Sequence, residues 1–225
     1  MNDLTIRTAP ILDLPDSLEI LLEGSITPAT APRLKERLDQ ALGKKAAYVC
    51  LLLRGVNYVS SAGLGYLMDL ATRAERRGGS VVLVEAQPKV KVVLNNLGMN
   101  GFFRFEESAE AARAFLRAQA EKVLRSPRVV ALDGDELGVV FPVVSAAIKI
   151  GSDVKSTILV RHPQAEPRHC EIYRTGEQCF VRDLGSRFGT YVGVRKVNDE
   201  PLHAGDVIKV GGTRLAFYPP GAKIS

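Results

Sequence analysis

The sequence predicts two domains of different classes, an α/β domain over residues 1–122 and an all-β sandwich over residues 129–225. The length of 225 residues suits two small domains. Strand-like and helix-like segments alternate in the first half, whereas short strand-like runs separated by turn residues fill the second. We predict a linker over residues 123–128, because its segment RSPR, residues 125–128, is short and polar and contains a proline.

The first half reads as strands and helices in alternation. Continuous apolar runs are typical of strands buried on both faces of a sheet, and apolar residues three and four apart indicate helices. Strands are predicted over 17–26, 46–53, 80–86 and 102–107, and helices from Thr30 to Gly43, from Ser61 to Gly78, over 88–99 and over 108–124. This order predicts helices packed on a central sheet, with right-handed crossovers.

The second half shows no run of apolar residues three and four apart that would indicate a helix. Its strand-like runs are bounded by turn signals such as Asp133-Gly134-Asp135 and Asn198-Asp199, and many short strands at such spacing favour a sandwich. The runs cover 129–132, 137–144, 147–150, 157–160, 170–173, 178–184, 189–197, 206–211 and 213–219.

Composition excludes several classes of function. The net charge of +5 is mild, and its densest spot, Arg73, Arg76 and Arg77, closes a predicted helix, which favours a dipole complement over nucleic-acid binding. No apolar run approaches the roughly 18 residues of a membrane helix, so we expect no membrane insertion. The N-terminus, interrupted by charges and prolines, does not resemble a signal peptide.

The cysteines and histidines predict neither a metal site nor a cofactor. Cys50, Cys170 and Cys179 form no CxxC pair and fall in apolar runs, which favours buried thiols in a reducing cytoplasm. The three histidines show no HExxH spacing.

The stretch VNYVSSAGLGYL, residues 56–67, places Ser60 and Ser61 between a strand and a helix. A serine at a helix start can accept hydrogen bonds from free backbone N–H groups, and the same helix end attracts anions. A phosphate there would add about −1.5 to −2 charge at pH 7 without unfolding the helix. Gly63 and Gly65 keep the neighbourhood small, so that a partner can approach the backbone. The residues alone leave open whether the serines only cap the helix or are also modified.

Residues 1–120 resemble a STAS domain, the fold of bacterial anti-sigma-factor antagonists, in the order of elements and in the motif YVSSAGLGYL. In that family an anti-sigma-factor kinase phosphorylates the serine that follows an acidic residue, and phosphorylation ends the complex. The resemblance implies Ser61 as the acceptor, with Ser60 as the alternative, although Ser60 stands where the acidic residue is expected. It also implies a segment that binds an anti-sigma factor or a related serine kinase, namely Ser60, Ser61, Ala62, Gly63 and Leu64.

The second half resembles an FHA domain, an all-β sandwich whose loops bind phosphothreonine peptides. The run DLGSRFGTYV, residues 183–192, carries the resemblance together with Ile150-Gly151 and His169. It implies structural roles for Gly151, His169 and Gly189, with the histidine tying loops together.

Three residues depart from the phosphate site of that family. Ser152 stands in place of an arginine and cannot grip a phosphate bidentately. Glu166 replaces a serine and brings a negative charge to the place of a phosphate dianion. Phe188 replaces an asparagine and cannot hydrogen-bond to a peptide backbone. The departures predict a degenerate FHA domain that binds protein with weak or no dependence on phosphothreonine.

Three cations leave an alternative open. Arg187 lies on the binding-loop turn, at a position that also contacts phosphate in the family, and Lys155 and Arg161 lie on neighbouring loops. They are either solvated surface charges or the remainder of a phosphothreonine site that depends on Arg187.

The sequence therefore predicts a bacterial cytoplasmic signalling adaptor with two protein partners, and not an enzyme. A serine hydrolase is disfavoured because the chain lacks a G-x-S-x-G elbow and has no histidine before His162. The alternative is a constitutive interaction scaffold, in which Ser60 and Ser61 are structural.

Overall fold

The computed structural model describes residues 4–43, 47–96, 99 and 102–222. Their contacts divide the chain into two units, and the division falls between Ala120 and Glu121. Within the described residues no helix combines the length and the apolar character that a membrane span requires.

The first unit is a five-stranded sheet with helices on both faces. The strands follow in the order β1-β2-β3-β4-β5, with β1 antiparallel to β2 and all other neighbours parallel. They are β1 Thr5–Ala9, β2 Ser17–Ile26, β3 Tyr48–Val59, β4 Ser80–Val84 and β5 Arg104–Glu106. The helices are α1 Ala31–Leu42, α2 Ser61–Arg76, α3 Pro88–Asn96 and α4 Ala109–Leu124.

Successive side chains of β3 point to opposite faces of the sheet and belong to two separate cores. Leu51 lies in the core shared with α1, α2 and α3, whereas Cys50 points to the opposite face, where Leu116 of α4 covers the sheet. Both faces of β3 are therefore buried, as its continuous apolar run predicts.

The α/β fold class predicted for this half is confirmed, although the bounds of several elements differ, and the strand predicted over 46–53 extends to Val59. β1 was not predicted, because four of its five residues are exposed and it gives a weak hydrophobic pattern. The helix predicted over 88–99 is observed as α3 to Asn96, and residues 97 and 98 of that prediction lie outside the described residues.

The second unit is a sandwich of two sheets, as the sequence predicts. One sheet has the order β14-β11-β10-β8-β9 and the other β13-β12-β15-β16-β6-β7. The strands are β6 Arg128–Ala131, β7 Val140–Pro142, β8 Ala147–Gly151, β9 Ile158–Leu159, β10 Cys170–Thr175, β11 Gln178–Asp183, β12 Thr190–Val192, β13 Arg195–Val197, β14 Asp199–Pro201, β15 Val207–Val210 and β16 Thr213–Tyr218. The inward residues of both sheets form one core, with Ile172 and Ile208 fully buried.

Two local predictions in this unit are wrong. The run 189–197 is not one strand but the hairpin β12–β13, because Gly193 turns the chain with φ of +62°. Asp199 is not a turn residue but begins β14, which pairs with β11 at the sheet edge.

Candidate functional site

The two serines of the first unit lie at the carboxyl edge of the sheet. The backbone N–H of Ser60 donates to the carbonyl oxygen of Ile26 at 2.7 Å and so ties the ends of β3 and β2 together. The Ser60 hydroxyl accepts a hydrogen bond of 3.2 Å from the N–H of Gly63. Ser60 is therefore the N-cap of α2, and it is only 4% exposed.

Ser61 is the first residue of α2 and is exposed. Since its neighbour already supplies the cap, its hydroxyl is not needed to begin the helix. Ala62 beside it is exposed as well, whereas Leu64 is buried. Of the two serines, only Ser61 is exposed.

Gly63 is required for packing inside the domain, and not for the approach of a partner as the sequence suggested. It is buried, and a Cβ at this position would lie 2.3 Å from Cγ2 of Ile26. The absence of a side chain lets α2 pack on the end of β2, and Gly63 is not open to a partner. Gly65 does face open space, with nothing within 4 Å of an added Cβ.

A cavity of about 350 Å³ lies beside the serines. Its wall includes Ser61 and Leu64 from the start of α2, and Lys89 and Val93 from α3. Val93 is 45% exposed, so apolar surface continues out of the cavity. Sequence reasoning missed Lys89 and Val93, because only the crossover through β4 brings α3 beside the serine motif.

The basic residue Arg73 is engaged within the first unit. Its guanidinium donates to Asp39 of α1 at 2.9 Å, and the Tyr66 hydroxyl donates to the same carboxylate at 3.3 Å. Burial opposes ionisation of Asp39, but hydrogen bonds from Lys35 and Arg73 outweigh it and hold the pKa of Asp39 below its usual range. Arg73 thus joins α1 to α2, in keeping with a structural role for this charge.

In the second unit, Asp183 organises the loop over residues 184–189. One carboxylate oxygen accepts the N–H of Gly185 at 3.0 Å and that of Ser186 at 2.8 Å. The other accepts the hydroxyls of Ser186 at 2.6 Å and Thr190 at 2.7 Å. Asp183 begins the run DLGSRFGTYV, but the sequence alone does not predict this role for its side chain.

Glu166 hydrogen-bonds to the backbone of this loop and of the loop that carries Ser152. Its side-chain oxygen Oε1 accepts the N–H of Arg187 at 2.9 Å, and its carbonyl oxygen accepts the N–H of Ser152 at 2.9 Å. The Arg187 guanidinium lies 5.6 Å from the ring centroid of Phe188, which is 41% exposed. The structure therefore brings together Ser152, Glu166, Arg187 and Phe188, with Glu166 hydrogen-bonded to both Ser152 and Arg187.

His169 is fully buried and joins two loops. Its Nδ1 accepts the N–H of Glu166 at 3.3 Å, and its Nε2 lies 3.2 Å from the carbonyl oxygen of Gly189, an arrangement that requires the proton on Nε2. A Cβ on Gly151 would lie 2.3 Å from the carbonyl oxygen of Pro167. Gly189 has φ of +80°, which strains any other residue.

The remaining two predicted cations, Arg161 and Lys155, face other residues. Arg161 faces Asp135 at 3.8 Å on the loop between β6 and β7. Lys155 lines a second cavity of about 260 Å³, together with Lys149 and Arg168. Leu184, from the same loop as Arg187, also lines this cavity. Within the described residues, neither Lys155 nor Arg161 forms a hydrogen bond or an ion pair with Arg187 itself.

The cysteines are free and buried. Burial raises the pKa of the thiols of Cys50 and Cys170 to about 12, which makes them poor nucleophiles. Among the described residues no group of three or more His, Cys, Asp or Glu is placed to hold a metal ion.

Comparisons with known proteins match both halves. The model of the STAS domain family matches residues 12–112, and that of the FHA domain family matches residues 148–211. A Bordetella bronchiseptica protein named as an anti-sigma factor antagonist, BtrV, is 33% identical over 93 residues, which are 41% of this chain and 80% of that protein. An oxoglutarate dehydrogenase inhibitor of Corynebacterium jeikeium is 35% identical over 94 residues, which are 38% of this chain and 65% of the inhibitor.

Solved structures include an anti-sigma factor antagonist from Mycobacterium paratuberculosis. It is 19% identical, with a TM-score of 0.43, and the match covers 51% of this chain and 95% of that one.

Proposed function

Because the chain belongs to the STAS family of anti-sigma factor antagonists and carries an FHA domain after its STAS domain, we propose that it is a bacterial cytoplasmic adaptor that binds two proteins and catalyses no reaction. The STAS domain binds an anti-sigma factor or a related serine kinase and exchanges it in response to phosphorylation of Ser61. The FHA domain binds a second protein without requiring phosphothreonine.

The first part of the proposal rests on the different positions of the two serines. Ser60 caps α2, whereas Ser61 is exposed beside the cavity that Lys89 and Val93 line. A phosphate on Ser61 would place about −1.5 to −2 charge at the start of α2, where backbone N–H groups and the helix dipole stabilise it. The fold would persist while the charge of the binding surface changes, which suits a reversible switch.

The hydrogen bond from Arg187 to Glu166 supports the second part. A phosphate bound at this loop would compete with a carboxylate that the chain itself provides, at 2.9 Å from the backbone donor. Two adjacent anions repel each other strongly where solvent is partly excluded. The loop therefore suits an unmodified protein surface better than phosphothreonine.

Affinity purification of the full chain from its native cell, with mass spectrometry of partners and phosphosites, tests the switch. We expect a kinase-type anti-sigma factor with the wild type and with Ser61→Ala, and at least about tenfold less of it with Ser61→Asp, a cost of about 1.4 kcal/mol. Ser108→Asp is the matched control, because Ser108 is an exposed serine whose hydroxyl caps the start of α4.

Two results would contradict the proposal. Retention of the partner by Ser61→Asp excludes a switch at this position and leaves a constitutive scaffold. An equal loss with Ser108→Asp shows that added charge, and not the position of Ser61, releases the partner.

A further inference from the structure

The second cavity, of about 260 Å³, gathers positive charge from three separate segments of the FHA domain. Lys149 comes from β8, Lys155 from the loop after it, and Arg168 from the segment before β10. Asp153 is the one carboxylate among its lining residues. None of the residues of the altered phosphate site, Ser152, Glu166, Arg187 and Phe188, lines this cavity.

The three cations are not neutralised by the fold. Within the part of the chain that the structure describes, none of their charged groups forms an ion pair. Glu171, which stands opposite Lys149 in the β8–β10 register, instead faces Arg182 at 3.5 Å. Asp153 uses one carboxylate oxygen to accept the backbone N–H of Lys155 at 2.9 Å. The cavity therefore has a surplus of positive charge that an anionic ligand can neutralise.

The backbone that carries these cations is held in place. Ser152 donates its N–H to the carbonyl oxygen of Glu166 at 2.9 Å, and Asp153 donates to that of Pro167 at 3.3 Å. The Ser156 side chain is buried and lies 3.4 Å from the Pro167 carbonyl oxygen. These hydrogen bonds join the loop that carries Lys155 to the segment that carries Arg168. Little backbone ordering is therefore needed when a ligand binds.

We propose that Lys149, Lys155 and Arg168 form a binding site for an acidic peptide segment of the second partner. The inference rests on the proposed phosphate-independent function of the FHA domain and gives the chemistry of what that domain binds. Arg168 can engage a carboxylate through two parallel hydrogen bonds, and the lysines supply charge to neighbouring side chains.

An unmodified acidic segment fits this site better than a phosphopeptide. The cations come from three segments and surround a cavity, so they match several carboxylates spaced along a chain. The loop that would fix a phosphothreonine is closed by Glu166. The site thus replaces recognition of one dianion by recognition of several single charges.

Fluorescence anisotropy with the full chain tests the site directly. The probe is a fluorescein-labelled 12-residue peptide with four glutamates, and its comparison has glutamine at those four positions. At about 0.1 M salt, where charges beyond about 10 Å are screened, we expect the glutamate peptide to bind at least about tenfold more tightly. Lys155→Gln/Arg168→Gln should lower that affinity about tenfold.

The matched control is Lys209→Gln/Arg195→Gln, which removes the same charge from exposed positions on the other sheet. We expect it to change affinity by less than about twofold. An equal loss in this control, or equal binding of the two peptides, would overturn the site. Tenfold stronger binding of a phosphothreonine peptide through Lys155 and Arg168 would overturn the acidic-peptide assignment.

The second partner, once purified, separates this inference from the proposed function. Its unchanged binding to Lys155→Gln/Arg168→Gln overturns the site and leaves the adaptor function intact. Loss of its binding to that variant, with normal binding to the control, supports both. If the partner binds only when phosphorylated, through Arg187, the proposed function fails while the anisotropy result still decides the site.

Discussion

The side-chain carboxylate of Glu166 accepts a 2.9 Å hydrogen bond from the backbone N–H of Arg187, and the carbonyl oxygen of the same residue accepts the N–H of Ser152. One residue thereby joins the two loops that the FHA resemblance assigns to phosphate binding, and its negative charge occupies the N–H of Arg187. Removing this carboxylate and restoring the donors that the family uses should therefore allow the site to bind phosphate.

The triple variant Ser152→Arg/Glu166→Ser/Phe188→Asn should gain phosphothreonine binding. It restores a guanidinium, a hydroxyl and an amide on a loop that Asp183 already holds in shape. We expect calorimetry to give at least about tenfold preference for a phosphothreonine peptide over its threonine form, or about 1.4 kcal/mol.

The control for that gain is Ser152→Arg/Phe188→Asn, which keeps Glu166. It should show no preference for the phosphorylated peptide, because the carboxylate still opposes a dianion at the Arg187 N–H. If this double variant binds as well as the triple one, Glu166 does not close the site.

Ser60 and Ser61 should differ in their contribution to stability. Ser60→Ala removes the cap bond to Gly63 and should lower the free energy of unfolding of the first unit by about 1 kcal/mol, whereas Ser61→Ala should change it by less than about 0.5 kcal/mol. Urea denaturation followed by thiol labelling of the buried Cys50 reports this unit alone. A larger loss with Ser61→Ala would mean that Ser61 is the structural serine.

The glycines two positions apart in α2 should respond in opposite ways to alanine. Gly63→Ala forces a methyl group to within 2.3 Å of Ile26 and should cost about 1–3 kcal/mol. Gly65→Ala places the same methyl in open space and should stabilise the helix by about 0.5–1 kcal/mol. Labelling of Cys50 again provides the measurement. Equal effects would refute the packing of α2 against β2 described above.

Local signals predicted much of this fold, and contacts distant in sequence account for what they missed. The cap at Ser60 follows from its position between an apolar strand and a helical stripe, and such information is contained in a few neighbouring residues. Lys89 reaches the serine cavity only through the packing of α3, and no spacing in the sequence encodes that proximity. β1 was missed for a related reason, since its edge position leaves most of its side chains exposed.

The second unit shows the same contrast between local sequence signals and contacts distant in sequence. The run DLGSRFGTYV carries the FHA resemblance and places Arg187 on a turn, and the carboxylate of Asp183 holds that turn by accepting four hydrogen bonds within eight residues. The cluster of Lys149, Lys155 and Arg168 joins three segments, and only the pairing of β8 with β10 brings them together. Sequence reasoning named Lys155 but not its two companions.

Asp183→Asn should destabilise the second unit at neutral pH and lose that effect in acid. Burial opposes ionisation of Asp183, but hydrogen bonds from Ser186 and Thr190 outweigh it and hold its pKa below the usual range. A lowered pKa in the folded state means that the carboxylate stabilises the fold above the ordinary value of about 3.9, and that this stabilisation is lost as the pH falls through the folded pKa. Asparagine can keep one oxygen for the N–H groups of Gly185 and Ser186, but its N–H₂ group replaces the oxygen that accepts the hydroxyls of Ser186 and Thr190. Because those two hydroxyls lose a charged acceptor, we expect a cost of about 1–3 kcal/mol at pH 7 that shrinks below about pH 4. Urea titrations from pH 7 to pH 3 measure this change in the free energy of unfolding, and pyridyl-disulfide labelling of Cys170 and Cys179 provides the readout. The control is Glu177→Gln at an exposed position, which should keep the pH dependence of the wild type. A difference between wild type and Asp183→Asn that stays constant over this range would show that the charge of Asp183 does not hold the loop.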